Sequence, residues 1–137
     1  MTALTADRKT PTRAGVQFVY GVAASTKIYA GSIVAIKSAD GYATPAADTS
    51  GLIVVGRAEE FVDNSSGADG DKTVKVMAGL FLFVGSGLAA DDVAKPAWVS
   101  DDQTVTFSAT TNDVLAGIIE QVDSATEVWI RIGLQQR

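Results

Sequence analysis

The sequence predicts an all-β protein: a small antiparallel barrel or sandwich built from two related halves, with an extended N-terminal arm. Short β-branched runs recur along the 137 residues, and Gly, Asp and Asn turn signals separate them at short intervals. No segment longer than about ten residues favours a helix. A stretch near the C-terminus also repeats an earlier one. Together these observations favour tandem β units over a helical or an α/β fold.

The repeated stretch covers residues 114–133 and matches residues 54–79. Gly117 and Glu120 correspond to Gly56 and Glu59, and residues 128–133 correspond to residues 74–79 without a gap. A hairpin pattern precedes each copy, which places the repeat halves at about residues 27–79 and 89–133. We therefore expect one β domain over residues 15–137, preceded by an arm over residues 1–14.

Individual strands follow from local patterns. Residues 16–20 form an apolar run, and residues 33–37 form a β-branched run that is followed by Asp40-Gly41. Asp-Gly between apolar runs predicts a tight hairpin, because both residues tolerate positive φ. Residues 97–107 repeat this arrangement in the second half. Alternation over 73–76 and 127–132 predicts half-buried strands. Their inward residues are expected to be buried in one core that the two halves share: Val74, Val76, Val128, Ile130 and Ile132.

The segment 114–122 is compatible with a helix as well as a strand. Its apolar residues would form one stripe on a helix that Asn112 or Asp113 could cap. Gly117 in the middle would cost such a helix ~1 kcal/mol relative to alanine. The matching run 52–56 is short and β-branched, so we predict a strand.

Composition excludes several classes of enzyme. The chain has no cysteine and no histidine, which excludes thiolate nucleophiles, Cys/His zinc sites and His-based triads. Glu59 and Glu120 could form the carboxylate pair of a glycosidase, but duplicated halves place equivalent residues symmetrically whatever their role. We therefore expect no enzyme.

Two motifs imitate ligand sites without completing them. Residues 85–90 follow an apolar run in the order of a dinucleotide fingerprint, but Asp91, Asp92 and Pro96 leave no helix N-terminus for a phosphate. The oxygen-rich segment 63–71 lacks the spacing of an EF-hand. We therefore expect neither a cofactor nor a metal.

Charge is unevenly distributed along the chain. Formal net charge is −5, and residues 1–14 contribute +2 through Arg8, Lys9 and Arg13 against Asp7, leaving −7 on the rest. An acidic body disfavours nucleic-acid binding. No apolar run approaches the ~20 residues that cross a membrane, and the opening residues lack a secretory pattern. We expect a soluble protein that is made in a cytoplasm and binds neither nucleic acid nor membrane.

Several patterns of small and apolar residues occur together over residues 14–133. They include Ala30-Gly31 before an apolar strand, the run 115–119 around Gly117, and the closing alternation 128–132. In these patterns the chain is similar to the small capsid decoration, or structural cement, proteins of tailed bacteriophages. The resemblance implies a non-enzymatic, β-rich protein on the outside of the virion, which binds the major capsid protein and reinforces the shell. It also implies a homo-oligomer, with a trimer favoured over a dimer.

Candidate contacts to the capsid or to another subunit come from the basic arm and from aromatic residues of the body. The run 80–84 carries bulky residues on both faces, so it is either fully buried or covered by another subunit. The main alternative is a ligand- or glycan-binding β module, such as a head-fibre or tail component. The candidate contacts are Arg8, Lys9, Pro11, Arg13, Phe81, Phe83 and Trp98.

Overall fold

The computed structural model describes residue 3, residues 5–6, residues 8–9 and residues 16–134, and this part of the chain is nearly all β. In chain order the strands are β1 (Gln17–Gly21), β2 (Thr26–Ile28), β3 (Ile33–Lys37), β4 (Ala43–Pro45), β5 (Leu52–Ala58), β6 (Val62–Asn64), β7 (Thr73–Met77), β8 (Gly79–Val84), β9 (Pro96–Val99), β10 (Val105–Thr106), β11 (Leu115–Ser124) and β12 (Glu127–Ile132). A single turn of 3-10 helix, Ala90–Asp92, lies between β8 and β9. The predicted all-β class is confirmed.

The strands form two five-stranded antiparallel sheets and one two-stranded ribbon. The first sheet has the order β1-β7-β5-β3-β4, the second has the order β8-β12-β11-β9-β10, and the ribbon joins β2 to β6. A parallel bridge brings the outer ends of each sheet together, Val22 to Ala43 in the first and Val84 to Thr104 in the second. Each sheet is therefore curled toward a closed barrel.

Both sheets run through the same order of strands. An edge strand comes first (β1 or β8), then a hairpin (β3-β4 or β9-β10), a central strand (β5 or β11) and its neighbour (β7 or β12). Residues 80–84 lie between the two predicted repeat halves, and together with Gly79 they form β8, the edge of the second sheet. That the two sheets arose by duplication stays a prediction.

Equivalent glycines mark the same position in each sheet. A Cβ on Gly56 would lie 2.6 Å from the Met77 carbonyl oxygen, and one on Gly117 would lie 2.2 Å from that of Arg131. Both distances are far below van der Waals contact, so only glycine allows the neighbouring strand to approach this closely. The repeated glycine therefore has a packing role, and β11 is a strand rather than a helix.

The buried side chains form two clusters rather than the single shared core that the duplication suggested. Val74 and Val76 pack in a cluster confined to the first sheet and the ribbon. Val128, Ile130 and Ile132 belong to a larger cluster that also takes in Ile33, Ala35 and Val54 of the first sheet. All five predicted core residues are buried. Strands β3 and β5 contribute residues to both clusters. The larger cluster therefore extends from the second sheet into the first.

Candidate partner interface

Strand β8 has one inward face and one outward face. Phe81 and Phe83 point inward, where Phe83 is 7% exposed and joins the larger core cluster. Leu80, Leu82 and Val84 point outward and are 40%, 42% and 49% exposed. Proposing Phe83 as a surface contact was wrong, because period-2 alternation beside the inward Val128 and Ile130 of β12 turns the phenylalanines toward the core. The exposed residues of β8 are aliphatic, and the contacts predicted from the sequence did not include them.

Phe81 is only partly buried, and it contacts the first sheet. The Arg57 guanidinium carbon lies 4.5 Å from the centre of its ring, and the rings of Phe81 and Phe83 are 6.5 Å apart in an edge-on arrangement. Arg57 is on β5 and also forms an ion pair with Glu59. The inner face of β8 therefore serves the contact between the sheets and leaves only its outer face for a partner.

Trp98 lies on β9, an inner strand of the second sheet. It stands opposite Thr106 of β10 and Leu115 of β11, and it is half-buried. β11 and β12 separate its strand from β8, so Trp98 does not extend the outward row of β8.

Polar groups next to that outward row are already paired. On β12, Trp129 lies opposite Leu82 and Arg131 lies opposite Leu80. The Trp129 indole nitrogen donates to Asp123 at 2.8 Å, and Arg131 Nε donates to Glu120 at 2.6 Å. The hydrogen bond from Arg131 lowers the pKa of the Glu120 carboxyl against the opposing effect of burial. We name Leu80, Leu82, Val84 and Trp129 the β8 surface.

The backbone of β8 is unpaired along part of its outer edge. The Val84 amide donates to the Gln103 carbonyl at 3.2 Å, on the side away from β12. Strand alternation therefore directs the backbone groups of Leu80 and Leu82 to the same side. In the part of the chain that the structure describes, these groups have no hydrogen-bond partner. An open strand edge and an apolar row thus coincide.

A second exposed apolar feature lies at the ribbon. The rings of Tyr29 and Phe61, which are 58% and 53% exposed, have centroids 5.2 Å apart at an angle of 31°. They flank the paired residues Ile28 and Val62. No local sequence pattern predicts this pair, since the two rings come from segments more than thirty residues apart along the chain.

Each carboxylate of the hypothetical glycosidase pair is bound to an arginine of its own sheet. Glu59 binds Arg57 within the first sheet, and Glu120 binds Arg131 within the second. Such ion pairs are the usual environment of structural carboxylates on a sheet surface. The arrangement gives no support for acid–base catalysis by these two residues.

The segment between β8 and β9 is held by hydrogen bonds to its own Asp92. Asp92 Oδ2 accepts a hydrogen bond from the Ala89 amide at 2.9 Å, and its Oδ1 accepts one from Lys95 Nζ at 3.1 Å. The bonds from Ala89 and Lys95 lower the pKa of the Asp92 carboxyl. A carboxylate therefore occupies the N-terminus of the three-residue 3-10 helix, the position at which a dinucleotide fingerprint would place a phosphate.

Other ligand sites find little support in the described residues. Over residues 16–134 and the few described before them, no three Asp or Glu side chains are grouped so as to hold a metal ion. The same residues include no helix long and apolar enough to cross a membrane.

A cavity of about 250 Å³ between β1 and the end of β12 is lined mainly by apolar groups, among them Phe18, Tyr20 and Ile132.

Of the arm candidates, the structure describes only Arg8 and Lys9, and both are exposed. Pro11 and Arg13 lie outside the described residues, as does most of the predicted arm. The arm's role therefore stays a prediction from the sequence.

No protein-family model matches the chain, and a comparison with curated proteins gives no match either. The likeness to phage decoration proteins rests on the residue patterns alone.

Proposed function

We propose that this protein is a capsid decoration, or cement, protein that binds the major capsid protein on the outside of a phage head and stabilises the shell. The observation that carries the proposal is the β8 surface, an exposed apolar row on a strand whose outer edge is unpaired at Leu80 and Leu82 within the described residues. Sheet edges of this kind are normally shielded in proteins that stay alone. A protein whose task is to be covered in an assembly can leave one open.

Charge also supports this function. The body carries −7, whereas the first fourteen residues carry +2, and Arg8 and Lys9 are exposed. Lys and Arg side chains on an arm can bind acidic groups of a capsid surface through charge-assisted hydrogen bonds. Because arm and body are joined, docking of either one makes binding of the other effectively intramolecular. Two modest contacts can then give firm attachment.

The construction of the body suits a stabilising role. Two curled sheets with short connections and apolar clusters form a module without need of metal or disulfide, since the sequence has no cysteine. Binding to an expanded head and not to its building blocks would stabilise the expanded state by mass action. No chemistry is required for that effect.

The Tyr29–Phe61 pair favours one second candidate, a glycan-binding module. Its rings are exposed, and Phe61 also borders a surface depression lined by Glu60, Asp63 and Lys72. Aromatic walls with a few polar groups are the usual composition of ligand sites. A glycan array with the wild-type protein and a Tyr29→Ala/Phe61→Ala variant tests this candidate.

Co-sedimentation tests the main proposal. The purified protein is mixed with expanded empty heads of the phage that encodes it, and with unexpanded proheads as a control. We expect saturable binding to expanded heads at a fixed ratio to the major capsid protein, with raised heat resistance of the heads. Absence of binding to heads, together with selective glycan binding, would favour the second candidate.

A further inference from the structure

We propose that residues 12–15 continue β1 as an edge strand along the outer side of β8, so that one strand of the chain runs beside both sheets. These four residues precede β1 and lie outside the described part of the chain. Three features carry the proposal: the register of β1, the unpaired backbone groups of β8 and the position of a proline. The pairing belongs to the free protein and does not depend on capsid binding.

The register of β1 leads directly onto β8. β1 pairs antiparallel with β7, and its first residue, Gln17, lies opposite Met77. One step further back, the Val16 carbonyl accepts a hydrogen bond from the Ala78 amide at 2.7 Å. Only Ala78 separates β7 from β8. A chain that keeps its direction before Val16 therefore meets β8 without any linker.

The side of β8 that this path follows is the side with unpaired backbone groups. The amides of Ala78 and Val84 both donate to this side of the strand. Leu80 and Leu82 lie between them at alternate positions, so their N–H and C=O groups point the same way. Within the described residues these groups have no hydrogen-bond partner. The opening between the two occupied ends suits a segment of about four residues.

The same register assigns a partner to each open residue. Continued past Val16, it places Ala14 opposite Leu80 and Thr12 opposite Leu82. Each pair exchanges two backbone hydrogen bonds, which satisfies the open groups of β8. Opposite residues of a ladder share a face, so the small side chains of residues 12 and 14 lie beside the two leucines. The backbone of the edge is then shielded, while the apolar row of the β8 surface stays exposed.

A proline ends the added strand where the edge of β8 is already occupied. Pro11 would lie opposite Phe83, with its backbone nitrogen directed away from β8. Because proline has no N–H, it is tolerated at such a position on an edge strand and prevents pairing on the outer side. The preceding residue, Thr10, would meet Val84, whose amide already has a partner. Pairing that stops at Thr12 therefore avoids the hydrogen bonds at both ends of the edge.

The arm of the same chain fits this edge better than the arm of a second copy. Val16 is fixed at Ala78 of its own chain, so Ala14 lies two residues, about 7 Å, further along the same path. Pairing within one chain carries no cost of association. The added strand is short, and we therefore expect it to open more often than the inner strands of the sheet.

One consequence concerns the candidate contacts with a capsid. Arg8 and Lys9 closely precede Pro11, so the pairing would direct them to the Val84 end of the β8 surface. The basic residues and the apolar row would then form one continuous contact. This consequence rests on the proposed function, whereas the pairing does not. A protein that fails to bind heads could still show the pairing, so the two results are distinguishable.

Hydrogen exchange of the wild-type protein, followed by NMR, tests the pairing with an internal control. The Phe81 and Phe83 amides point to the other side of β8, toward β12, and should be protected in any case. We expect the Leu80 and Leu82 amides to exchange at least about tenfold more slowly than in an unfolded chain. Exchange of these two amides at the unfolded rate, with Phe81 and Phe83 protected, would overturn the proposal.

Cysteine cross-linking tests the register in the full-length chain. The chain has no cysteine, so introduced pairs are clean probes. In Ala14→Cys/Leu80→Cys the proposed register places the two Cα atoms about 5.5 Å apart, within disulfide range. The matched control is Ala14→Cys/Leu82→Cys, whose Cα atoms would lie roughly 8–9 Å apart, beyond that range. We expect the disulfide within one chain to form at least several-fold faster in the first variant.

Two results of the cross-linking would contradict the proposal. Equal rates in the two variants would show that the arm has no fixed register on β8. Disulfides that join two chains, recognised by their mass on a non-reducing gel, would assign the edge to the arm of a second copy.

Discussion

The Arg57 guanidinium lies over the ring of Phe81, 4.5 Å from its centre, and so connects the first sheet to the second. Arg57 reaches the ring from β5, while Phe81 projects from the inner face of β8. The same guanidinium forms an ion pair with Glu59. Phe81 faces inward in this contact, and the outer face of the strand carries only aliphatic residues.

A double-mutant cycle measures that contact. Arg57→Ala and Phe81→Leu should each destabilise the protein, and their effects should be less than additive by ~0.5–2 kcal/mol, the range of cation–π pairs. Urea unfolding of the four proteins gives the coupling free energy. Strict additivity would show that the two side chains are neighbours without an energetic connection.

Replacing the two equivalent glycines should disrupt the fold at equivalent places. Gly56→Ala and Gly117→Ala each force a Cβ against a carbonyl oxygen and a β-branched side chain of the next strand. We expect each to cost at least ~2 kcal/mol, as over-packing does in a tight core. Gly79→Ala is the control, because a Cβ there would lie 3.5 Å from Phe81, at ordinary contact. Melting temperatures of the three variants decide the matter; a tolerated alanine at either site would contradict the close approach.

Acid should weaken a connection between the two halves at Asp48. Its carboxylate accepts hydrogen bonds from the Asn112 amide at 2.9 Å, the Thr110 hydroxyl at 3.1 Å and the Thr111 amide at 3.2 Å. Burial raises the pKa of the Asp48 carboxyl, but the hydrogen bonds, first among them that of the Asn112 amide, outweigh this effect and lower the pKa below its ordinary value.

A lowered pKa in the folded state means that Asp48 stabilises the protein above its unfolded pKa and loses this effect as pH falls through the folded value. Asp48→Asn should therefore lower the urea midpoint at pH 7, and its difference from wild type should shrink below about pH 4. Asp91→Asn serves as a control, since Asp91 accepts no side-chain hydrogen bond within the described residues. A constant Asp48→Asn difference from pH 7 to pH 3 would contradict the assignment.

Deleting residues 1–13 should separate attachment from stability. The described core clusters lie entirely within residues 22–132, so the truncated protein should keep its melting temperature within a few degrees. Loss of Arg8, Lys9 and Arg13 should weaken binding to heads several-fold. The charge variant Arg8→Ala/Lys9→Ala should show part of the loss. Equal binding by all three proteins would leave the β8 surface as the attachment site.

The periodicity of apolar residues and the residues typical of turns predicted most of the fold. Residues 33–37 and 127–132 form strands with the bounds expected from the sequence. The Asp40-Gly41 turn closes the β3-β4 hairpin. Gly41 has φ +80°, and the Asp40 carboxylate accepts a hydrogen bond from the Tyr42 amide. These features depend on neighbours in the chain, which is why the sequence is sufficient to predict them.

The local sequence does not determine which face of β8 is exposed. In residues 80–84 both alternating sets are bulky and apolar, so periodicity cannot show which set faces the core. The choice is made by pairing with β12, whose inward residues are Val128 and Ile130, and by Arg57 from the other sheet. The Tyr29–Phe61 pair was hidden for the same reason, because pairing of β2 with β6 brings distant segments together.

A cryo-EM reconstruction of expanded heads incubated with the protein is the most direct test of the decoration hypothesis. The hypothesis predicts additional density at symmetry-related positions on the outer surface, into which the two-sheet body fits, with contacts to the major capsid protein. Heads that carry no such density at saturating protein, under conditions in which they remain expanded and intact, would contradict it.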